Sequence, residues 1–208
     1  MLSATEDYMF KKIPVFLVLF VFGLSMLHAA GRTEQIQEQP ADNAAVLFSI
    51  LHHFSARDYA EGQITQEERD IIVQAGLRST SAGNRQPWLF TVIQNQELVK
   101  QILPDATEGN MLIVGSGILG GTNRDAVILD AGLAAQSMFI AAQALGLGAR
   151  QYTNPGLIGR ANNLKDELGI PEDHTAIIVT RFGRLPADID VISSASPRAD
   201  PDTKVIYK

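Results

Sequence analysis

Two clusters of polar side chains in this chain have the composition to hold a ligand. The first is the loop Ser79-Thr80-Ser81-Ala82-Gly83-Asn84-Arg85-Gln86-Pro87-Trp88. Its small residues Ser81, Ala82 and Gly83 let a flat molecule approach the backbone, and Asn84 and Gln86 each offer both a hydrogen-bond donor and an acceptor. That chemistry suits the edge of a heterocycle. The second cluster is His53-Phe54-Ser55-Ala56-Arg57-Asp58-Tyr59. There His53, Ser55 and Arg57 alternate with apolar neighbours, a pattern that suits a phosphate or another anionic group.

The elements that must position these clusters follow from periodicity. A short helix over 44–51 leads into the basic cluster. Thr65-Gln66-Glu67-Glu68 is a capping box that starts a helix ending near residue 78. Strands are expected at 88–94, 111–114, 151–153 and 175–182, with helices at 96–103, 124–145 and 157–168. The 124–145 helix is interrupted only by Asp130, Gln136, Ser137 and Gln143. A helix with so little polar surface is covered on nearly all sides, and in a domain of about 165 residues a second subunit is a natural source of that cover. Short strands mixed with helices indicate an α+β domain rather than a regular βαβ array.

Both clusters, in this order, resemble the nitroreductase family of FMN-dependent oxidoreductases. In that family a basic-Ser-x-basic-x-aromatic element precedes a helix and a Ser-x-x-Asn-x-Gln-Pro-Trp loop. A third match runs from Asp130-Ala131-Gly132-Leu133-Ala134-Ala135-Gln136-Ser137 to Ala144-Leu145-Gly146-Leu147-Gly148, which is similar to the family's central helix and its glycine-rich exit. The resemblance covers residues 43–207. It implies a three-layer α/β/α fold with a mixed, mainly antiparallel sheet around a long buried helix. It also implies a homodimer with flavin sites made by both subunits.

The same resemblance implies FMN as cofactor, held by His53, Ser55, Arg57, Ser81, Gly83, Asn84, Gln86 and Arg198. Arg57 falls near the pyrimidine edge of the ring, where positive charge stabilises the reduced flavin. His53 stands where the family has an arginine on the phosphate, so it is either a weaker ligand or a bystander. Arg198, in Ser196-Pro197-Arg198, matches the family's basic tail residues that return to the phosphate; Lys204 is the alternative. Each residue also has a plainer role open to it, Arg57 as a surface cation and Asn84 as a turn residue. Trp88 is expected in the core.

The activity implied is a relay of hydride from a reduced donor, NADH or NADPH in the family, through flavin N5 to a nitroaromatic, quinone or similar acceptor. No catalytic side chain is assigned, since the cofactor carries the chemistry. Two other readings share the scaffold: an exported flavin-binding or carrier module with little turnover, and a specialised flavin oxidase or dehalogenase. The run Met111-Leu112-Ile113-Val114-Gly115-Ser116-Gly117-Ile118-Leu119-Gly120-Gly121 also fits a dinucleotide fingerprint. Gly121-Thr122-Asn123 separates it from the next helix, however, and no acidic strand end follows, so these glycines are expected to form a flexible loop near the pocket.

Composition narrows the partners. A net charge of −6 argues against a nucleic-acid surface. The four histidines lack metal-site spacing, and with no cysteine there is neither thiol chemistry nor a disulfide. Lys11 and Lys12 precede an apolar run over 13–27 that ends in His28-Ala29-Ala30-Gly31. Residues 1–31 therefore read as an export signal, starting at Met1 or Met9 and cleaved near 28–31. Residues 32–43 read as a polar linker and 44–208 as the functional domain. The mature protein is then periplasmic, or membrane-anchored if cleavage fails. Export conflicts with a cytosolic nicotinamide donor, so either the donor differs or the segment is not a signal.

Overall fold

The computed structural model describes residues 43–190 and 197–208. The expected signal over 1–31 lies outside the described residues, as do Ser196 and all of the expected linker except Asn43. Asn43 already opens the first helix, α1 (Asn43–Leu51). Then follow α2 (Gln66–Leu77), a 3-10 turn (Ala82–Asn84), β1 (Leu89–Ile93), α3 (Gln96–Ile102) and β2 (Met111–Gly117). The long helix α4 (Arg124–Ala144), β3 (Leu147–Tyr152), α5 (Pro155–Asn163), α6 (Lys165–Leu168), β4 (Thr175–Arg184) and a 3-10 turn (Pro201–Thr203) complete the order.

The strands form one sheet in the order β1-β2-β4-β3. All three pairings are antiparallel, so the parallel component expected of a mixed sheet is not among the described residues. Side chains alternate across the pleat. Met111, Ile113, Phe182, Leu147 and Ala149 pack with Ile72 of α2 and with Met138, Phe139 and Ala142 of α4. On the other face Leu112, Val114 and Val179 pack with Val99 and Ile102 of α3 and with Leu157 and Ala161 of α5. A sheet buried on both faces makes the expected three layers.

The strands depart from their expected bounds mostly at glycines. β2 continues through Gly115, Ser116 and Gly117, all buried, instead of opening into a flexible loop. The glycines are there for close approach: a Cβ on Gly117 would lie 2.8 Å from Val127 and 3.0 Å from the Pro87 carbonyl. An antiparallel strand in this place also removes the βαβ context that the dinucleotide fingerprint requires. β3 likewise begins at Leu147 rather than 151, because Gly148 lets β3 lie against Ala56 and Tyr59, each 3.0 Å from its missing Cβ. The helix expected over 157–168 starts earlier, at Pro155, and is divided at Leu164.

The capping box is present. Thr65 N–H donates to Glu68 Oε2 at 2.8 Å, and Glu68 N–H donates to Thr65 Oγ1 at 3.2 Å. Glu68 also receives both guanidinium arms of Arg184, at 2.6 and 2.7 Å, which ties the start of α2 to the end of β4. The Arg184 hydrogen bonds hold the Glu68 carboxyl below its ordinary range. A depressed carboxyl contributes stability above its unfolded pKa and loses it as pH falls through the folded value. The difference in melting temperature between wild type and Glu68→Gln is therefore expected to be largest above the ordinary glutamate range and to shrink as pH falls below it. A difference that ignores pH would assign the effect to something other than the carboxylate.

Candidate functional site

Residues 53–57 form an extended segment with the alternation expected of it. Phe54 and Ala56 are 3% and 0% exposed, while Ser55 and Arg57 face solvent and His53 is half-buried. Several anchors hold the segment down. The Gln143 side chain receives Phe54 N–H at 3.1 Å and donates to the Phe54 carbonyl. Ala56 N–H donates to Ala149 of β3 at 3.0 Å, and Ala60 bridges Arg184. Arg198 Nη2 donates to the His53 carbonyl at 3.2 Å, so the tail arginine does come to this segment.

His53 meets the Phe139 ring edge-on at 5.7 Å, and its Nδ1 lies 2.6 Å from the Ile50 carbonyl. A carbonyl only accepts, so Nδ1 carries the proton. The remaining Nε2 is then an acceptor on the neutral ring and a donor only on the imidazolium. At the far end of the segment the buried Arg181 guanidinium sits 3.9 Å from the Tyr59 ring centroid. Burial pushes the Tyr59 phenol well above its ordinary range, so it stays neutral there.

The 79–87 loop is built differently. Gly83, Asn84 and Gln86 adopt positive φ values of 60°, 54° and 49°. For non-glycine residues this region is sparsely populated, and such strain concentrates at ligand sites. Internal bonds hold it in place. Ser81 Oγ accepts Gln86 N–H at 3.0 Å, Asn84 N–H donates to the Ser81 carbonyl at 2.9 Å, and Gln86 Nε2 donates to Asn84 Oδ1 at 3.2 Å. Ser81 thus braces the loop. The space beside Gly83 is open, with nothing within 4 Å of where its Cβ would be. Trp88 is in the core and stacks on Phe90 at 5.8 Å.

Asp130 of α4, 2% exposed, anchors this loop: both its oxygens accept Ala82 N–H, at 3.1 and 3.2 Å. Asp130→Ala leaves that donor without its partner, which is expected to cost about 1–3 kcal/mol in urea unfolding and to speed hydrogen exchange at the Ala82 amide. Exchange unchanged at that amide would show that the loop is held by its own bonds alone. In the sequence Asp130 and Gln143 carried no role of their own: both interrupt an apolar helix, and Asp130 also opens the third family match. The signal that would have found them is that a buried carboxylate or amide requires a partner.

Both polar clusters therefore hang on α4, but not on the same side of it. Nine residues separate Asp130 from Phe139, about two and a half turns, so the loop contact and the His53 contact fall on opposite sides of the helix, roughly 13 Å apart along its axis. Within one chain the structure joins His53, Ser55, Arg57 and Arg198, and separately joins Ser81, Gly83, Asn84 and Gln86. It also brings Ser116 Oγ within 3.4 Å of His174 Nδ1, but Ser116 is fully buried and cannot serve as a nucleophile. Beside Thr153, a cleft of about 430 Å³ is walled by Leu119, Ile128, Ile177 and Ile178, with Arg124 among its lining residues.

The comparisons with known proteins converge. A family model described as "Nitroreductase family" matches residues 50–114, which span the basic segment, the loop and β1. A protein of Archaeoglobus fulgidus that carries the name NADH dehydrogenase/NAD(P)H nitroreductase is 31% identical over 156 residues, covering 71% of this chain and 89% of its own. The fold matches that of a Desulfitobacterium hafniense nitroreductase with bound FMN, at a TM-score of 0.64 and 21% identity over 79% of this chain and 98% of that one. It also matches the NADPH:FMN oxidoreductase of Vibrio harveyi complexed with NAD+, at a TM-score of 0.65 and 23% identity over 78% and 76% of the two chains.

Proposed function

This chain belongs to the nitroreductase family, and from that premise we propose that it is an FMN-dependent oxidoreductase that moves electrons from a nicotinamide donor to a small acceptor such as a nitroaromatic or quinone. The observation that carries the reading is the 83–86 turn, where strained residues hold two amide side chains beside an open glycine. Such a surface fits the edge of a flavin ring. The exposed hydroxyl and cations of residues 53–57 and 198 fit its phosphate and its electron-rich pyrimidine edge. Bound FMN supplies the hydride chemistry between donor and acceptor.

In this reading Ser55, Arg198 and His53 hold the phosphate, and Arg57 lies along the pyrimidine edge. Asn84 and Gln86 bond the ring, Gly83 gives it room, and Ser81 keeps those two amides in register. The largely apolar cleft beside Thr153 offers space for a flat acceptor.

A homodimer is part of the proposal. Val46, Leu47, Phe48, Ile50 and Leu51 of α1 are exposed, as are Leu129 and Leu133 of α4, at 63% and 41%. The helix expected to be covered on nearly all sides is thus open at Leu129 and Leu133 within a single chain, and exposed apolar residues of this kind are what a second subunit would cover. The two clusters on opposite sides of α4 favour the same conclusion, each cofactor site taking residues 53–57 from one protomer and the loop from its partner.

Location stays a proposal resting on the 1–31 segment. N-terminal sequencing of the cell-fractionated protein tests it, since cleavage near 28–31 in the periplasmic fraction supports export and an intact Met1 or Met9 start opposes it.

The function itself is tested by the visible spectrum of the purified protein with FMN, then with NADPH added anaerobically. Flavin that binds and bleaches, and recolours on adding a quinone, supports the reductase. Flavin that binds but resists NADPH favours the carrier or a different donor, and no binding overturns the reading.

A further inference from the structure

Phe54 is 3% exposed, so its peptide N–H and C=O need partners inside the protein. Among the described residues no backbone group supplies either one. Two residues later Ala56 is served by Ala149 of β3, but at Phe54 the strand's role passes to one side chain. Gln143 accepts Phe54 N–H through Oε1 and donates to the Phe54 carbonyl through Nε2, across 89 residues of sequence. Its amide carries a donor and an acceptor at fixed spacing, as a peptide does, and so stands in for a neighbouring strand.

Because successive side chains of an extended segment point to opposite sides, locking the Phe54 peptide sets the direction of both its neighbours, His53 and Ser55. Phe139, one helical turn before Gln143, holds the His53 ring from the same face of α4. We propose that Gln143 is a positioning residue for the cofactor phosphate: it touches no cofactor atom but fixes His53 and Ser55 so that both can meet one phosphate. The proposal rests on the phosphate assignment made above for these residues. Nothing else in the last turn of α4 could do this work, since Ala141, Ala142 and Ala144 offer no polar group.

Riboflavin, which lacks the phosphate, supplies a readout that a merely structural residue would not move. Dissociation constants for FMN and riboflavin are measured by flavin fluorescence quenching at one pH for wild type, Gln143→Leu, Gln143→Glu and the double variant Ser55→Ala/Arg198→Ala. Gln143→Leu is expected to weaken FMN about tenfold and leave riboflavin unchanged. Gln143→Glu keeps an acceptor for Phe54 N–H but sets a carboxylate against the Phe54 carbonyl, and the FMN preference is expected to fall with it too. That variant carries the test should Gln143→Leu fail to fold. A preference retained by folded Gln143 variants, or an equal loss for both flavins, overturns the proposal while the double variant's collapse leaves the phosphate assignment standing. A wild type without preference for FMN, or a double variant that keeps it in full, overturns that assignment and the proposal with it.

Discussion

Replacing Arg57 with alanine is expected to weaken FMN binding by roughly ten- to hundredfold, the range of one lost charge-assisted hydrogen bond, and to make the bound flavin's midpoint potential more negative. Arg57 is exposed and makes no ion pair or side-chain hydrogen bond among the described residues. A surface residue of that kind contributes within about 0.5 kcal/mol to folding, so the loss reads as function rather than damage. The potential shifts because a positive charge beside the pyrimidine edge favours the electron-rich reduced ring over the oxidised one. Flavin titration gives the affinity, and equilibration with a dye of known potential gives the second value. If neither changes, Arg57 does not belong to the site. If affinity falls while potential holds, its contact is with the phosphate instead.

Phe182→Ala is expected to destabilise the domain by about 3–5 kcal/mol, the usual cost of emptying an aromatic site in a core. Phe182 is fully buried in β4, paired with Met111 of β2 and Ala149 of β3, and its ring sits in the layer between the sheet and helices α2 and α4. For a domain of this size that corresponds to a melting temperature lower by roughly 6–20 °C. The consequence reaches the site, since Ala149 is both the β3 partner of Phe182 and the acceptor for Ala56 N–H. FMN present in excess should recover part of the lost melting temperature through binding to the folded state alone. A loss below about 2 °C would mean that neighbouring side chains collapse into the space.

These two residues differ in how readable they are. Arg57 stands out in the sequence because cation, hydroxyl and histidine alternate with Phe54 and Ala56, and the structure buries those two residues and leaves the polar ones outward. The Thr65–Glu68 box, the α2 helix behind it and the strand that follows Trp88 were legible for the same reason, being patterns within a few residues. Glycines were misjudged because a glycine admits two opposite explanations, freedom of the chain or crowding around it. At Gly117 and Gly148 crowding decides, from Val127 and Pro87 in one case and Ala56 and Tyr59 in the other, none of them adjacent in sequence.

Side-chain type and spacing along the chain settled which groups can meet a ligand, because alternation and turn chemistry are properties of neighbouring residues. How those groups are arranged was decided in three dimensions. That Asp130 would brace one cluster and Gln143 the other, on opposite sides of one helix, depends on distances between residues 48 and 89 positions apart. Packing sets such distances, because a buried carboxylate or amide on α4 is tolerated only where the folded chain brings it a partner.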